Sequence, residues 1–187
     1  MFCKVSARPP PVPSYYPPSI EKEPLSTLVI FGNSGSGKST YAGLVSDQRG
    51  CAHLDLDTVA WEEGSHPPQR RPIEASLREI EAFVQSHENW VVEGCYSDLL
   101  ECIASHASEM VFLNPGVDVC IQNAENRKWE PHKYESIEAQ NANLKMLISW
   151  IQQYDHREDE FSLLAHRRLF DSFSGDKHEL RSNVWDV

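Results

Sequence analysis

Long apolar runs are missing from the chain: no stretch approaches the roughly 18 residues that a membrane-spanning helix needs. Positive charge is scarce too. The 187 residues carry 17 Lys and Arg against 28 Asp and Glu, a formal net charge of -11. A surface that acidic repels phosphate backbones, which argues against nucleic acid as a partner unless basic residues cluster. They cluster only weakly, at Arg70-Arg71, Arg127-Lys128 and Arg167-Arg168. Cysteine is sparse and unpatterned: Cys3, Cys51, Cys95, Cys102 and Cys120 are odd in number and form no C-x-x-C. That excludes a zinc site or a disulfide framework and points to free thiols in a reducing compartment. No internal repeat is visible. The expectation is one cytosolic domain, a monomer or a homodimer, engaging neither membrane nor nucleic acid.

Proline is unevenly spread, with seven of its 12 occurrences in residues 1–24. Such a segment forms neither helix nor ladder and reads as a disordered or extended tail, leaving residues 25–187 as the domain. No acid precedes Glu21, so a short targeting peptide stays open, although the amphipathic Arg/Ser pattern is missing. A proline-rich ligand for a small recognition domain fits the tail equally well.

Glycine is also rare, yet three of the nine fall in one stretch, Gly32-Asn33-Ser34-Gly35-Ser36-Gly37-Lys38-Ser39-Thr40. The apolar run Leu28-Val29-Ile30-Phe31 precedes it, and a segment that reads as helix, Tyr41 to Asp47, follows. The spacing G-x-x-x-x-G-K-[ST] between strand and helix is that of a phosphate-binding loop. Glycines let consecutive backbone N–H groups point inward as an anion nest, and the helix adds its positive end. Lys38 is placed for the β- and γ-phosphates, and the Ser39 hydroxyl for Mg²⁺. The motif implies a bound nucleoside triphosphate.

Further short apolar segments read as strands: Cys51–Leu54, Trp90–Val92 and Met110–Leu113. Helical spacing of apolar residues marks Ile73–Gln85, Leu99–Ala104, Val117–Arg127, Ile137–Tyr154 and about residues 160–173. Strands alternating with helices predict a three-layer α/β fold around a parallel sheet. After the fourth strand the chain reads as helix only, and a fifth strand is not evident. Ligands of such sheets bind beyond the carboxyl ends of the strands. Those ends hold the glycine-rich loop, Asp55 and Asp57, Glu93 to Tyr96, and Asn114.

Asp55-Leu56-Asp57 puts two carboxylates on the same side of an extended chain. Beside a triphosphate, Asp55 suits the water shell of Mg²⁺, and Asp57 suits an acceptor hydroxyl whose proton it takes. The same residues also fit a solvated turn or a helix cap. Glu93 ends an apolar strand, the place of an acid that orders a metal's water shell, or of a strand-terminal acid with no ligand. Cys95 reads as packing, since no neighbouring base activates it. Arg127 opens the polar Lys128–Tyr134 loop, a plausible lid near 127–136, and Arg157, Arg167 and Arg168 follow the long helix. Arginines on a mobile element can stabilise a phosphoryl group in transfer.

With these residues in place the chain resembles the small P-loop kinases, the group of adenylate, shikimate and gluconate kinases. Asp55-Leu56-Asp57 is similar to the D-x-D after the second strand of shikimate kinases, whose acids serve metal and substrate hydroxyl. Trp90-Val91-Val92-Glu93-Gly94 resembles the apolar-D-G end of the third strand of adenylate kinases, with Glu93 for Asp. Arg157-Glu158-Asp159-Glu160 followed by Arg168-Leu169 resembles R-x-D-D…R-L, whose arginines clamp phosphates. The likeness is strongest to bacterial P-loop ATPases of the topology-modulation type, and it spans about residues 26–180. It implies ATP and Mg²⁺ as cofactors, with Lys38, Asp57, Arg127, Arg157 and Arg168 (or Arg167) catalytic. Residues 32 to 40 would bind nucleotide, and Ser39, Asp55 and Glu93 would serve the metal. Sheet order 2-3-1-4 follows by analogy, a fifth strand being left open. The glycine triplet and paired arginines of shikimate kinases, the D-G-x-P-R and four-cysteine lid of adenylate kinases, and any N-K-x-D are absent. The expected function is ATP-dependent phosphoryl transfer to a small molecule, a nucleoside, nucleotide or shikimate-like hydroxyl compound. The alternative is a regulatory switch that hydrolyses ATP without such an acceptor.

Overall fold

The computed structural model describes residues 26–62, 64–65, 68–130 and 134–183. The tail expected over residues 1–24 lies outside them. In chain order the elements are β1 (Thr27–Gly32), α1 (Lys38–Arg49), β2 (Ala52–Asp55), α2 (Asp57–Ala60), α3 (Ile73–Ser86), β3 (Trp90–Gly94) and α4 (Ser97–Ile103). A 3₁₀ turn, Ala104–His106, then leads to β4 (Glu109–Leu113), α5 (Val117–Glu125), α6 (Ile137–Gln152), α7 (Leu163–Ser172) and β5 (Asp176–Leu180).

All pairings are parallel, and the order is β2-β3-β1-β4-β5. Central β1 shows why it is apolar throughout. Leu28 and Ile30 join Ala42, Val45 and Val91 under α1, while Val29 and Phe31 join Ile80, Leu99 and Leu169 on the other face. Successive side chains of a strand point to opposite sides, so a strand covered on both must be apolar at every position. Phe31 stacks on Phe112 of the neighbouring strand with centroids 4.9 Å apart. Cutting a fully buried aromatic of this kind to alanine costs about 3–5 kcal/mol. A third cluster, Cys120, Ala124 and Ile151, joins α5 to α6.

Two helices start where serines can cap them. Ser136 accepts from the Ala139 N–H and Ser162 from the Ala165 N–H, each satisfying an orphan donor of the first turn. Among the described residues no helix is long and apolar enough to cross a membrane.

The structure corrects the sequence reading at two elements. The chain is not all helix after β4, for β5 pairs with β4 from Glu109↔Asp176 to Leu113↔Leu180. Its sequence, Asp-Lys-His-Glu-Leu, has no apolar run because an edge strand is covered less and its charges bond locally. Lys177 Nζ donates to the carbonyls of Phe170, Asp171 and Phe173 at the end of α7, at 2.9, 3.1 and 2.8 Å. Glu179 receives Arg167, Arg181 and Asn114. The second correction concerns Asp55-Leu56-Asp57, which is not extended throughout. β2 stops at Asp55, and Asp57 begins the single turn of α2.

Candidate active site

The strand ends bring the expected acids and the loop to one rim. In the sheet register Asp55 lies opposite Glu93, Phe31 opposite Gly94, and Gly32 opposite Leu113. The loop between β1 and α1 therefore leaves the middle of the sheet with the two acids on its β3 side.

Packing holds this loop in shape. A Cβ on Gly32 (φ +151°) would lie 2.1 Å from the Leu113 carbonyl oxygen, and one on Gly35 (φ +77°) 2.3 Å from that of Cys120. Both positions exclude any side chain, through contact and through backbone conformation alike. Asn123 of α5 donates to the Gly35 carbonyl at 2.9 Å, and Asn33 donates to the Ile151 carbonyl in α6 at 3.2 Å. Lys38 Nζ donates back to the Asn33 carbonyl at 3.0 Å. Ser36 Oγ is buried without a hydrogen-bond partner, an acceptor or donor held inside the curl. These features fit a polyphosphate in the loop, with N–H groups and Lys38 as its donors.

Glu93 is 1% exposed, and its Oε1 has no hydrogen-bond partner. Burial, and then the charge of Asp55, push its carboxyl up to about 7, against the opposing pull of Lys38 and Ser39. His53 Nε2 stands 3.9 Å from the same oxygen, but burial lowers its pKa, so it brings no charge at neutral pH. A cation next to Glu93 would relieve both the orphaned oxygen and the repulsion from Asp55. Oxygen donors of this kind suit Mg²⁺. Among the described residues no group of three or more His, Cys, Asp or Glu could hold a metal by itself. Ser39, Asp55 and Glu93 would therefore hold Mg²⁺ together with phosphate oxygens and water, as that ion prefers.

Asp57 is exposed at the rim, and its carboxylate accepts from the Tyr96 hydroxyl at 2.6 Å. Tyr96 accepts in turn from Trp61 Nε1 at 2.6 Å. Burial first, then Cys95 and Asp57, push the Tyr96 phenol far above its usual range, so it stays a donor at every working pH. A relay Trp61 → Tyr96 → Asp57 thus fixes one side of the carboxylate. The indole and the phenol lie 35 residues apart, so no local sequence pattern reveals the relay. Burial pushes the Cys95 thiol up to about 12, which leaves it inert at neutral pH as packing would.

The four arginines fare differently. Arg127 pairs with Glu130 at 2.9 Å, and Gln140 of α6 ties this segment down through the Lys128 carbonyl and the Glu130 N–H. Arg157 lies over the Trp150 ring, 3.4 Å from its centroid, and donates to the Trp150 carbonyl at 3.1 Å. The next residue, Ile151, is the one that Asn33 contacts, so Arg157 sits at the helix end nearest the loop. Arg167 makes a two-pronged bond to Glu179 at 2.6 and 3.1 Å and covers Phe112. Arg168 is exposed and enters no ion pair among the described residues. Tyr154 and Cys95 sandwich a buried His166, whose Nε2 must donate to the Cys95 carbonyl while Nδ1 accepts from the Tyr154 hydroxyl, at 2.9 and 2.7 Å. Burial lowers its pKa to about 4, so this His is a neutral strut between α6, α7 and the end of β3.

No family model matches the chain, and no curated protein matches it in sequence. Solved structures do. A gluconokinase from Sinorhizobium meliloti 1021 superposes with a TM-score of 0.50 at 17% identity, covering 87% of this chain and 87% of its own. A sugar kinase from Janibacter sp. HTCC2649 gives 0.49 at 16% identity over 84% and 85%. A shikimate kinase from Bacteroides thetaiotaomicron gives 0.45 at 15% over 78% and 97%. The likeness to the gluconokinase shows a shared fold: an α/β P-loop fold of the kind found in small-molecule kinases.

Proposed function

We propose that the chain is a cytosolic ATP-dependent kinase that phosphorylates a hydroxyl group of a small acceptor. The observation that carries this reading is Asp57, held by Tyr96 at the rim of the sheet beyond β2 and lining a cavity of about 680 Å³. A protein that only hydrolyses or senses ATP needs no such acid beside a second cavity.

In this reading Gly32 to Thr40 cradle the triphosphate of ATP, and Lys38 exchanges the Asn33 carbonyl for phosphate oxygens. Ser39, Asp55 and Glu93 would hold Mg²⁺, which would neutralise charge on the phosphate oxygens. Asp57 orients the acceptor hydroxyl and takes its proton as the hydroxyl oxygen bonds to the γ-phosphorus and ADP leaves. Arg127, Arg157 and Arg168 supply positive charge to the transferring group, with residues 127–136 as the lid.

The test is ATP turnover by the purified chain with Mg²⁺ over a panel of hydroxyl compounds. Turnover rises with an acceptor for a kinase and stays flat for a switch. Lys38→Ala abolishes transfer, whereas Asp57→Ala cripples transfer and spares ATP binding. Unchanged transfer in both variants would refute the reading.

A further inference from the structure

The cavity beside Asp57 restricts what can enter it. Its described lining is Asp57, Thr58, Trp61, Glu62, Arg71 and Glu79, three carboxylates against one guanidinium. That guanidinium is already engaged. Arg71 Nη2 lies 2.6 Å from Glu79 Oε1, and Nη1 donates to the Val59 carbonyl at 3.4 Å. The adjacent Arg70 turns into a cage of its own. It donates to Asp98 at 2.9 Å and Glu160 at 3.3 Å, and its guanidinium lies 4.7 Å from the Tyr96 ring centre and 5.3 Å from that of Phe161. Both arginines therefore brace the fold. Among the described lining residues, no cation is left to receive a carboxylate or a phosphate.

What the wall does offer suits hydroxyl groups. Asp57 and Glu62 are acceptors for O–H donors, and Trp61 presents a half-buried indole suited to the C–H face of a ring. Among the described lining residues an anion would face three carboxylates and one guanidinium already paired with Glu79, a net negative wall that repels it.

We propose that the acceptor is an uncharged polyhydroxy compound, a sugar or polyol bearing neither carboxylate nor phosphate. This rests on the kinase reading above. The experiment uses the full chain with ATP and Mg²⁺ and follows ADP release. The probes are pentoses, hexoses and hexitols, each beside its aldonic acid and its phosphate ester. The expected result is stimulation of at least ten-fold by an uncharged member and none by its charged relatives. Stimulation by the acids or esters alone overturns this inference and leaves the kinase reading standing. A flat response to every probe overturns both.

A charge change supplies the second arm. Glu62→Lys gives the wall the cation it lacks, so kcat/KM for the aldonic acid rises at least ten-fold over the wild type, about 1.4 kcal/mol. An unchanged thermal melt shows that the variant is folded. No gain for the acid would overturn the placement of the acceptor at this wall.

Discussion

Replacing Tyr96 by phenylalanine removes one oxygen from the centre of the candidate site and little else. The ring stays, with its contacts to Phe161 at 5.4 Å and to the Arg70 guanidinium at 4.7 Å. Two hydrogen bonds go: the phenol's bond to the Asp57 carboxylate and the Trp61 Nε1 bond to the phenol, each 2.6 Å. A bond to a charged group contributes about 1.5–3 kcal/mol, and the lower end applies because Asp57 is exposed to water. An orphaned Trp61 N–H adds about 1 kcal/mol, since the half-buried indole finds water only in part. The sum is about 2–3 kcal/mol, a fall in Tm of about 4–12 °C for a chain of this length. Asp57 also loses its orientation, so kcat for phosphoryl transfer drops about 10- to 100-fold while the KM for ATP, set at the phosphate loop, holds. A calorimetric melt and steady-state kinetics with the stimulating acceptor measure both. A Tm within 1 °C of wild type, or a kcat within two-fold, would refute the relay.

Gly35→Ala puts a methyl group 2.3 Å from the Cys120 carbonyl oxygen, far inside van der Waals contact, so ATP binding is lost and the fold melts earlier; nucleotide titration by calorimetry reads the first and a thermal scan the second. Arg167 and Arg168 separate by role. Arg167→Ala breaks the pair with Glu179 and the cover over Phe112, lowering stability by about 1–2 kcal/mol in urea melts, whereas Arg168→Ala leaves the melt alone and lowers kcat. The reverse pattern would assign the phosphate contact to Arg167. Glu93 makes stability fall as pH rises: its folded pKa of about 7 exceeds the unfolded value near 4.5. Its contribution is whole below about pH 4.5 and lost through about pH 7. Urea melts in metal-free buffer at pH 5 and pH 8 then differ in that direction, and Glu93→Gln flattens the difference.

Much of the fold is legible in the chain because β1, β3 and β4 are covered on both faces and read as apolar runs. The phosphate loop is legible for another reason: its chemistry demands fixed spacing among neighbours in sequence. β5 is not legible, because an edge strand shares its burial with solvent and its Lys177 and Glu179 bond to the end of α7 and to Arg167, a use that only tertiary structure creates. The same holds in the site. Asp55, Asp57 and Glu93 can be placed by counting from strand ends. The partners of Asp57, the support of Gly35 by Asn123, and the engagement of Arg70 and Arg71 all join residues from different elements. No local pattern carries them.

The phosphate loop is clasped from both sides, by Asn123 of α5 at Gly35 and by the α6 carbonyl of Ile151 at Asn33. The same two helices pack on each other through Cys120, Ala124 and Ile151. On the kinase reading proposed above, the packing of α5 against α6 and nucleotide occupancy of the loop are then one linked equilibrium: whatever fixes the two helices tightens ATP, and ATP fixes them by the same factor.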